Sequence, residues 1–388
     1  MTRPYRVVAA VTLVPVLAVL AVTAVRPQIL AVGRATTVED FGAYWTAAVV
    51  NLRGGNAYVP ANLAPLQAEI EPGRPEPLPA WSPPWTSAAL APLTPLPFAA
   101  ARWVWLFVQL GTVLAAVTGL WRLYGGPPDR LATAWAAALL WYPTLQTLGL
   151  GQHSSLVLLG VAGWVCCLAA GRPVLAGLFL GLVLVKPQNL HLLGLLVAVW
   201  AIDKRAWSFA AGGAATAVVL TAGAVLPNPE VFAQYSEALA NRPPSQMVTP
   251  TVGTLLRVAF GPDRFWLAFV PAVAAAAWGV WYYARNRARW EWPERLTVVL
   301  FVSYLASPYG WVYDQVLFLV PLTQVLALAA RHRSRWLTPA LVVVAVLTGV
   351  CLAMNAVGFQ EAAFVWFAPL GLGLYLGAMS RVTSRTGP

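Results

Sequence analysis

The sequence predicts an all-α polytopic membrane protein with about 12 transmembrane helices, and three observations carry that reading. Hydrophobic residues make up 59% of the chain and charged residues only 10%, with a mean hydropathy of +0.67. Soluble domains carry charge at roughly a quarter of their positions. Apolar runs recur near 6–25, 99–121, 131–149, 154–170, 173–186, 188–202, 206–226, 264–284, 296–309, 312–330, 336–354 and 362–380. Most approach the ~20 residues that cross a ~30 Å hydrocarbon core. The basic residues then fix an orientation. With the N-terminus cytoplasmic, sixteen of the twenty-five Lys and Arg, from Arg3 and Arg6 to Arg381 and Arg385, fall on the inner connections, as the positive-inside rule requires. Of the fourteen acids only Asp129, Asp203, Glu291 and Glu294 lie there, leaving ten outside. The net charge of +11 therefore marks topology in a plasma-membrane protein with both termini cytoplasmic, and not a nucleic-acid partner.

The run 6–25 is long and no small-residue cleavage site follows it, so it reads as a retained first helix. Two connections break the regular spacing, 26–98 and 227–263, and both fall outside under this topology. Long loops in compact proteins are commonly functional. The chain thus reads as one integral-membrane domain, 1–388, with its chemistry on the outer face. In the first loop Phe41, Tyr44, Trp45, Ala48, Val49 and Leu52 recur at i, i+3, i+4, i+7, i+8 and i+11, one helical stripe. Its aromatic content predicts a helix lying in the membrane interface. Glu39 and Asp40 stand at its head. Thr37-x-x-Asp40 fits a capping box, and first-turn acids are favoured by the helix dipole; the alternative is a carboxylate kept for catalysis. A helical stretch from Ala61 to Ile70 and a Pro-rich run from Trp81 to Pro97 complete this loop.

Further along, Gly125-Gly-Pro-Pro-Asp-Arg130 half-matches a major-facilitator loop but lacks its basic end, a chance similarity. The turn Gly151-Gln-His-Ser-Ser155 is richer in hydrogen-bonding groups than a connection requires, which singles out Gln152 and His153. A lone His is readily a structural residue as well as a ligand. Cys166 and Cys167 share one run and Cys351 lies in another, so no disulfide, metal site or cofactor is expected. Gly177 and Gly181 form a small-xxx-small pair suited to helix packing. The short runs 173–186 and 188–202 are separated by Lys186-Pro-Gln-Asn189. Pro187 stops the helix there, leaving Lys186 and Gln188 at the outer end of a cavity. Lys186 either snorkels to the interface or faces an anionic ligand. His191, within a run, reads as packed. Arg242 and Arg257 supply the second outer loop with guanidinium groups, suited to phosphate or to lipid headgroups. Ser307-Pro-Tyr-Gly-Trp-Val-Tyr-Asp-Gln315 brings Trp311, Tyr313 and Asp314 to the same side. There is no Asp-x-Asp pair, P-loop or His-Glu-x-x-His, so cytosolic nucleotide-sugar or ATP chemistry is unsupported.

Taken in order, these motifs resemble glycosyltransferase family 87, the polyprenol-phosphate-mannose-dependent mannosyltransferases of the GT-C fold. Asp40-Phe-Gly-Ala-Tyr44 with Leu52-x-x-Gly-x-x-x-Tyr58 is similar to the family's first-loop signature. Pro83-Pro84 through Ala91-Pro-Leu-x-x-Leu-Pro97 is similar to its entry to the second span. Gly151-Gln152, Lys186-Pro187, Arg257 and Ser307-Pro308 with Trp311 follow in the family's order. The chain departs from the pattern at Tyr313-Asp314 and at Thr249-Pro250, where the family tends to carry His residues and Asn-Gln. The sugar and the acceptor therefore stay open.

The resemblance implies a general base at Asp40 and a donor phosphate bound by Lys186, Arg257 and His153. Tyr44, Gln152, Gln188, Trp311, Tyr313 and Asp314 would contact substrate. It further implies a polyprenyl-phosphate-linked sugar as donor, mannose foremost, a glycolipid or glycan of the cell envelope as acceptor, and membrane lipids as surroundings. A glycosidase needs a second carboxylate to protonate its leaving group; a polyprenyl phosphate leaves without protonation, so one base serves, with inversion. Two other readings stand beside it: arabinofuranosyl transfer from a polyprenyl-phosphate donor, and a 12-helix transporter or lipid flippase. The transporter reading predicts motifs on both faces, and here they face one way.

Overall fold

The computed structural model describes residues 27–73, 76–242, 247–261, 263–332, 334, 336–359 and 361–383, with side chains from 40 to 381. The expected first helix, 6–25, and the side chain of Glu39 lie outside these. The described residues form an all-helical protein with no strand among them. Its helices are α1 (Pro27–Leu52), α2 (Pro60–Ile70), α3 (Pro84–Leu90), α4 (Phe98–Leu123), α5 (Leu131–Leu140), α6 (Tyr142–Leu150), α7 (Ser154–Ala169), α8 (Pro173–Gly181), α9 (His191–Asp203), α10 (Trp207–Val225), α11 (Val231–Asn241), α12 (Val252–Phe260), α13 (Val270–Asn286), α14 (Trp292–Leu305), α15 (Leu319–Arg331), α16 (Leu337–Val357) and α17 (Phe367–Thr383). Short 3-10 segments extend several of them.

Among the described residues six helical stretches are long and apolar enough to cross a membrane: Phe98–Leu123, Trp207–Val225, Phe265–Arg289, Val312–Arg331, Leu337–Val357 and Glu361–Arg381. The chain is a polytopic membrane protein. Other apolar runs fold as shorter or broken helices, and their breaks have local causes. The run 131–149 splits into α5 and α6 at Trp141, which takes an extended ψ of 122° with Pro143 in the first turn beyond it. The run 173–186 passes from α8 into a 3-10 segment, and a second 3-10 segment opens the next run beyond Lys186, itself at φ −156° and ψ 71°, because Pro187 cannot continue the ladder.

α1 differs from the sequence reading in two ways. It begins ten residues before Thr37, so Asp40 sits in its interior and the capping box does not form. It is also buried from Phe41 to Asn51, save the half-buried Tyr44, where an interfacial helix with one wet face was expected. The polar residues of the supposedly wet face find partners inside the protein. Gln67 Nε2 donates to Thr46 Oγ1 at 3.3 Å, and Asn51 Nδ2 to the Ala224 carbonyl at 3.1 Å. Phe41 stacks on Phe98 and Trp105 with centroids 5.8 and 6.1 Å away.

The glycines expected to mediate packing do so. A Cβ on Gly177 would lie 2.0 Å from the Phe209 carbonyl oxygen, and one on Gly181 2.4 Å from Thr216 Cβ, so α8 and α10 touch backbone to backbone. Without a hydrophobic drive between helices in lipid, such close approach is a main source of association. Opposite ends of the bundle differ in character. Arg331 lies against Gly125, the Tyr124 hydroxyl donates to the Pro293 carbonyl at 3.2 Å, and Lys204 Nζ to the Arg287 carbonyl at 3.3 Å. The ends of α4, α9, α13 and α15 thus form a basic face, and the turns carrying Gln152, Lys186 and Asp314 meet at the other.

Candidate active site

At that other end a cavity of about 540 Å³ opens between α1, the Pro-rich segment, the Lys186 break and the 309–313 turn. This is within the usual size of a small-ligand site. Asp40, Tyr44, Lys186, Gln188, Trp311 and Tyr313 all line it, residues from three separate stretches of the sequence.

Each stretch is held in place by backbone that has been satisfied elsewhere. Gly151 ends α6 in the left-handed region at φ +69°, and a Cβ there would lie 2.6 Å from Phe41 Cβ. Only glycine meets both demands. The broken backbone around it is bonded by α4: Gln109 Nε2 donates to the Thr147 and Gln152 carbonyls at 3.0 and 2.6 Å, and Trp105 Nε1 to the Gly151 carbonyl at 2.8 Å. At the Lys186 break Thr86 Oγ1 donates to the Val185 carbonyl at 2.9 Å and Ser303 Oγ to that of Asn189 at 2.9 Å. Ser307 Oγ lies 3.2 Å from the Gln188 carbonyl and 3.1 Å from Asn189 Oδ1. The Ser-Pro motif thus braces the Lys-Pro motif.

Gln152 is the hub. Its Oε1 accepts from the Tyr44 hydroxyl at 3.0 Å and from Lys186 Nζ at 3.1 Å, which leaves its Nε2 to donate to Asp40 Oδ2 at 2.7 Å. The Lys186 ammonium can only donate and the Asp40 carboxylate only accept, which fixes the way the amide faces. Asp40 is therefore aimed from α1 into the cavity by a group on the α6–α7 turn. Lys186 Nζ is also 2.6 Å from Asp314 Oδ1 and 3.3 Å from Ser154 Oγ, over the Tyr313 ring at 4.3 Å. Ser154 Oγ donates to Asp314 Oδ1 at 2.7 Å, and the Trp311 amide to Asp314 Oδ2 at 3.0 Å. The Lys186–Asp314 pair is nearly inaccessible, at 7% and 1% side-chain exposure, so its charges act with little solvent screening. Trp311 and Tyr313 stack 5.8 Å apart at 9° as a flat wall.

Four expected site residues stand back from that wall. Gln152 and Asp314 are buried behind Asp40 and Lys186, which they hold. His153 was expected at the donor phosphate; it is instead buried, its ring edge-on to Tyr44 at 4.6 Å. Burial, and secondarily the Lys186 charge, holds its imidazole well below the usual pKa, so it is neutral. Arg257, expected at the same phosphate, is buried on α12. Its Nη1 donates to the Met247 carbonyl at 3.2 Å, and its guanidinium lies 5.3 Å from the Phe265 centroid. Met247 lines the cavity; Arg257 does not. Burial, and secondarily the Asp40 charge, raises the Tyr44 hydroxyl well above its usual value, keeping it a hydrogen-bond donor. Arg242 Nη2 donates to the Tyr58 carbonyl at 3.3 Å.

Sequence reasoning passed over Ser154 as an individual ligand, and Glu361, whose Oε2 accepts from the Val312 amide at 3.1 Å and so anchors the 3-10 segment Val312–Phe318. It also passed over Tyr235 and Tyr309 on the cavity wall. Ser154 and Tyr309 sat in polar turns already singled out; Glu361 and Tyr235 carry no signal in one sequence.

The family model of glycosyltransferase family 87 matches residues 82–308, more than half of the chain. The chain belongs to glycosyltransferase family 87. No curated protein and no solved structure matches it. A family 87 glycosyltransferase is a membrane enzyme acting on a sugar donor and an acceptor, which removes the transporter reading. The match spans Gln152, Lys186, Arg257 and Ser307. Asp40 lies before it, and Trp311, Tyr313 and Asp314 after it, so their membership of the same site rests on the bonds from Gln152 to Asp40 and from Lys186 to Asp314.

Proposed function

We propose that this glycosyltransferase moves a sugar, mannose foremost, from a polyprenyl-phosphate donor to a hydroxyl of a cell-envelope glycolipid or glycan, inverting the anomeric centre. The observation that carries the reading is Asp40, an acid in a helix interior that lines the cavity and is oriented by Gln152. A mid-helix acid gains nothing from the helix dipole, so its position calls for another reason.

In the reaction Asp40 accepts the proton of the acceptor hydroxyl as its oxygen bonds to the anomeric carbon. The bond from that carbon to the phosphate oxygen breaks on the opposite face, and polyprenyl phosphate departs as the anion. Among the described residues Lys186 is the cation on the cavity wall, and we assign the phosphate to it; Asp314 balances its charge meanwhile. A cation fixed before the reaction stabilises developing charge with little reorganisation. His153 and Arg257 act behind the wall, packing Tyr44 and supporting Met247. Trp311 and Tyr313 give an aromatic face for a sugar ring. The basic end of the bundle supports a plasma-membrane orientation with that end cytoplasmic and the cavity outside.

The test compares wild type with Asp40→Asn in transfer of radiolabelled mannose from its polyprenyl phosphate to a glycolipid extract. Loss of a general base lowers the rate by about 10² to 10⁴, with binding of the donor retained. Equal transfer by both proteins overturns the role of Asp40. Transfer from an arabinofuranosyl donor and none from the mannosyl donor overturns the sugar and leaves the mechanism.

A further inference from the structure

At the opposite end from the cavity a second space, about 410 Å³, runs between α15, α16 and α17. Its walls are apolar almost throughout, and among its described lining residues the one charged side chain is Arg381. Along α17 it extends from Arg381 back to Gly371, and along α16 from Trp336 to Leu347. Ten or eleven helical residues at 1.5 Å each give a slot roughly 15 Å long. That is about half of a ~30 Å hydrocarbon core, the depth of one leaflet. Glycines on α17 open it: a Cβ at Gly373 or Gly377 would meet nothing within 4 Å. The mouth is at the basic end of the bundle, where Arg331 closes α15 and the Arg381 guanidinium lies over the Trp336 ring at 4.6 Å. An indole and a cation at the end of an apolar slot mark the headgroup level of a membrane. The deep end reaches Phe318, last residue of the 3-10 segment that carries Asp314.

We propose that the slot binds an anionic glycerophospholipid from the leaflet at the basic end, with one acyl chain between α15, α16 and α17 and the phosphate at Arg381. Charge selects the ligand: a zwitterionic lipid fills the slot equally well but brings an ammonium group to the same basic mouth. The depth selects the leaflet, because a chain entering from the cavity side would meet Phe318 first. The bound chain backs Phe318, and through it the turn that positions Asp314. This assignment is independent of the sugar, donor and base proposed above.

The experiment uses the full chain, purified and delipidated in detergent, titrated with phosphatidylglycerol or phosphatidylcholine. Bound lipid is counted by native mass spectrometry, and the melting temperature is followed in parallel. Phosphatidylglycerol is expected to be retained at least five-fold more tightly and to raise the melting temperature. Arg381→Gln is expected to cut that preference about five-fold, the equivalent of roughly 1 kcal/mol for one basic side chain at a lipid surface. Gly377→Leu adds a better helix former in open space, so it folds without lipid, yet it fills the slot and abolishes the retained phosphatidylglycerol. Equal retention of both lipids by wild type, or an unchanged preference in both variants, overturns the proposal. So does displacement of phosphatidylglycerol by a polyprenyl phosphate at equal concentration.

Discussion

The buried pair Lys186–Asp314 can be taken apart one charge at a time. In Asp314→Asn the ammonium keeps Gln152 Oε1 at 3.1 Å and Ser154 Oγ at 3.3 Å but loses the carboxylate at 2.6 Å. In Lys186→Met the carboxylate keeps the Ser154 hydroxyl and the Trp311 amide but loses its counter-ion. Both side chains are over 90% buried, so either substitution strands a charge in a poorly screened site, at a cost of about 3–5 kcal/mol. If the two residues were independent, the double variant would lose roughly 6–10 kcal/mol. Removing both charges together leaves no stranded ion, and buried pairs replaced as a unit are often near neutral. The double variant is expected to lose under about 3 kcal/mol, a coupling of at least ~3 kcal/mol. The assay is a double-mutant cycle on unfolding of the purified protein in mixed micelles. Additive losses, or an Asp314→Asn protein as stable as wild type, would refute the view that each residue is held by the other. The folded double variant is further expected to transfer no sugar, since Gln152 loses its ammonium donor and the cavity its cation.

Three further outcomes follow from the same geometry. Gly151→Ala forces a left-handed residue and a Cβ 2.6 Å from that of Phe41; a loss of at least ~2 kcal/mol is expected from the backbone and the contact together, partly recovered by Phe41→Ala in the same melting assay. Gln152→Leu removes the donor to Asp40, and a hydrogen bond to a charged group is worth about 1.5–3 kcal/mol, so kcat should fall roughly 10- to 100-fold with the protein still folded. The neutral buried His153 makes stability depend on pH in a defined direction. Its folded pKa is depressed below 6.5, so the unfolded chain binds the extra proton, and stability is level above the unfolded pKa and falls as pH drops through it. Between pH 7.5 and pH 5.5 the loss is expected to be on the order of 1 kcal/mol. Comparing wild type with His153→Gln at both pH values isolates it, and identical pH dependence in the two proteins refutes the assignment.

Much of this was legible because a membrane chain allows few places for polar residues. Lys186 next to Pro187 could be placed at a helix break because a charge is costly inside a span and here coincides with a residue that cannot donate to the helix ladder, and the structure puts it there. Gly151-Gln152 and Ser307-Pro308 stood out as polar turns between apolar runs for the same reason. What could not be read was depth. Arg257 and His153 have the chemistry of phosphate ligands, but whether a side chain faces a cavity or lies one residue behind it depends on helix rotation set by distant partners, here the Met247 carbonyl and the Tyr44 ring.

The same ignorance of partners explains the misreading of α1. Its aromatic stripe is real, but a hydrophobic stripe says only that one face is dry; it cannot say that the other is wet. In this protein Thr46 and Asn51 are dry too, bonded by Gln67 and the Ala224 carbonyl. That difference changes the argument about Asp40 in its favour. At the head of an interfacial helix its carboxylate would be solvated and explained by the dipole alone. In a helix largely buried from Phe41 to Asn51, an ionised group is retained only where something orients and uses it, and the amide that orients it is the one that also holds Lys186. Base and cation are thus two ends of one hydrogen-bonded unit centred on Gln152, and a change at either end is felt at the other.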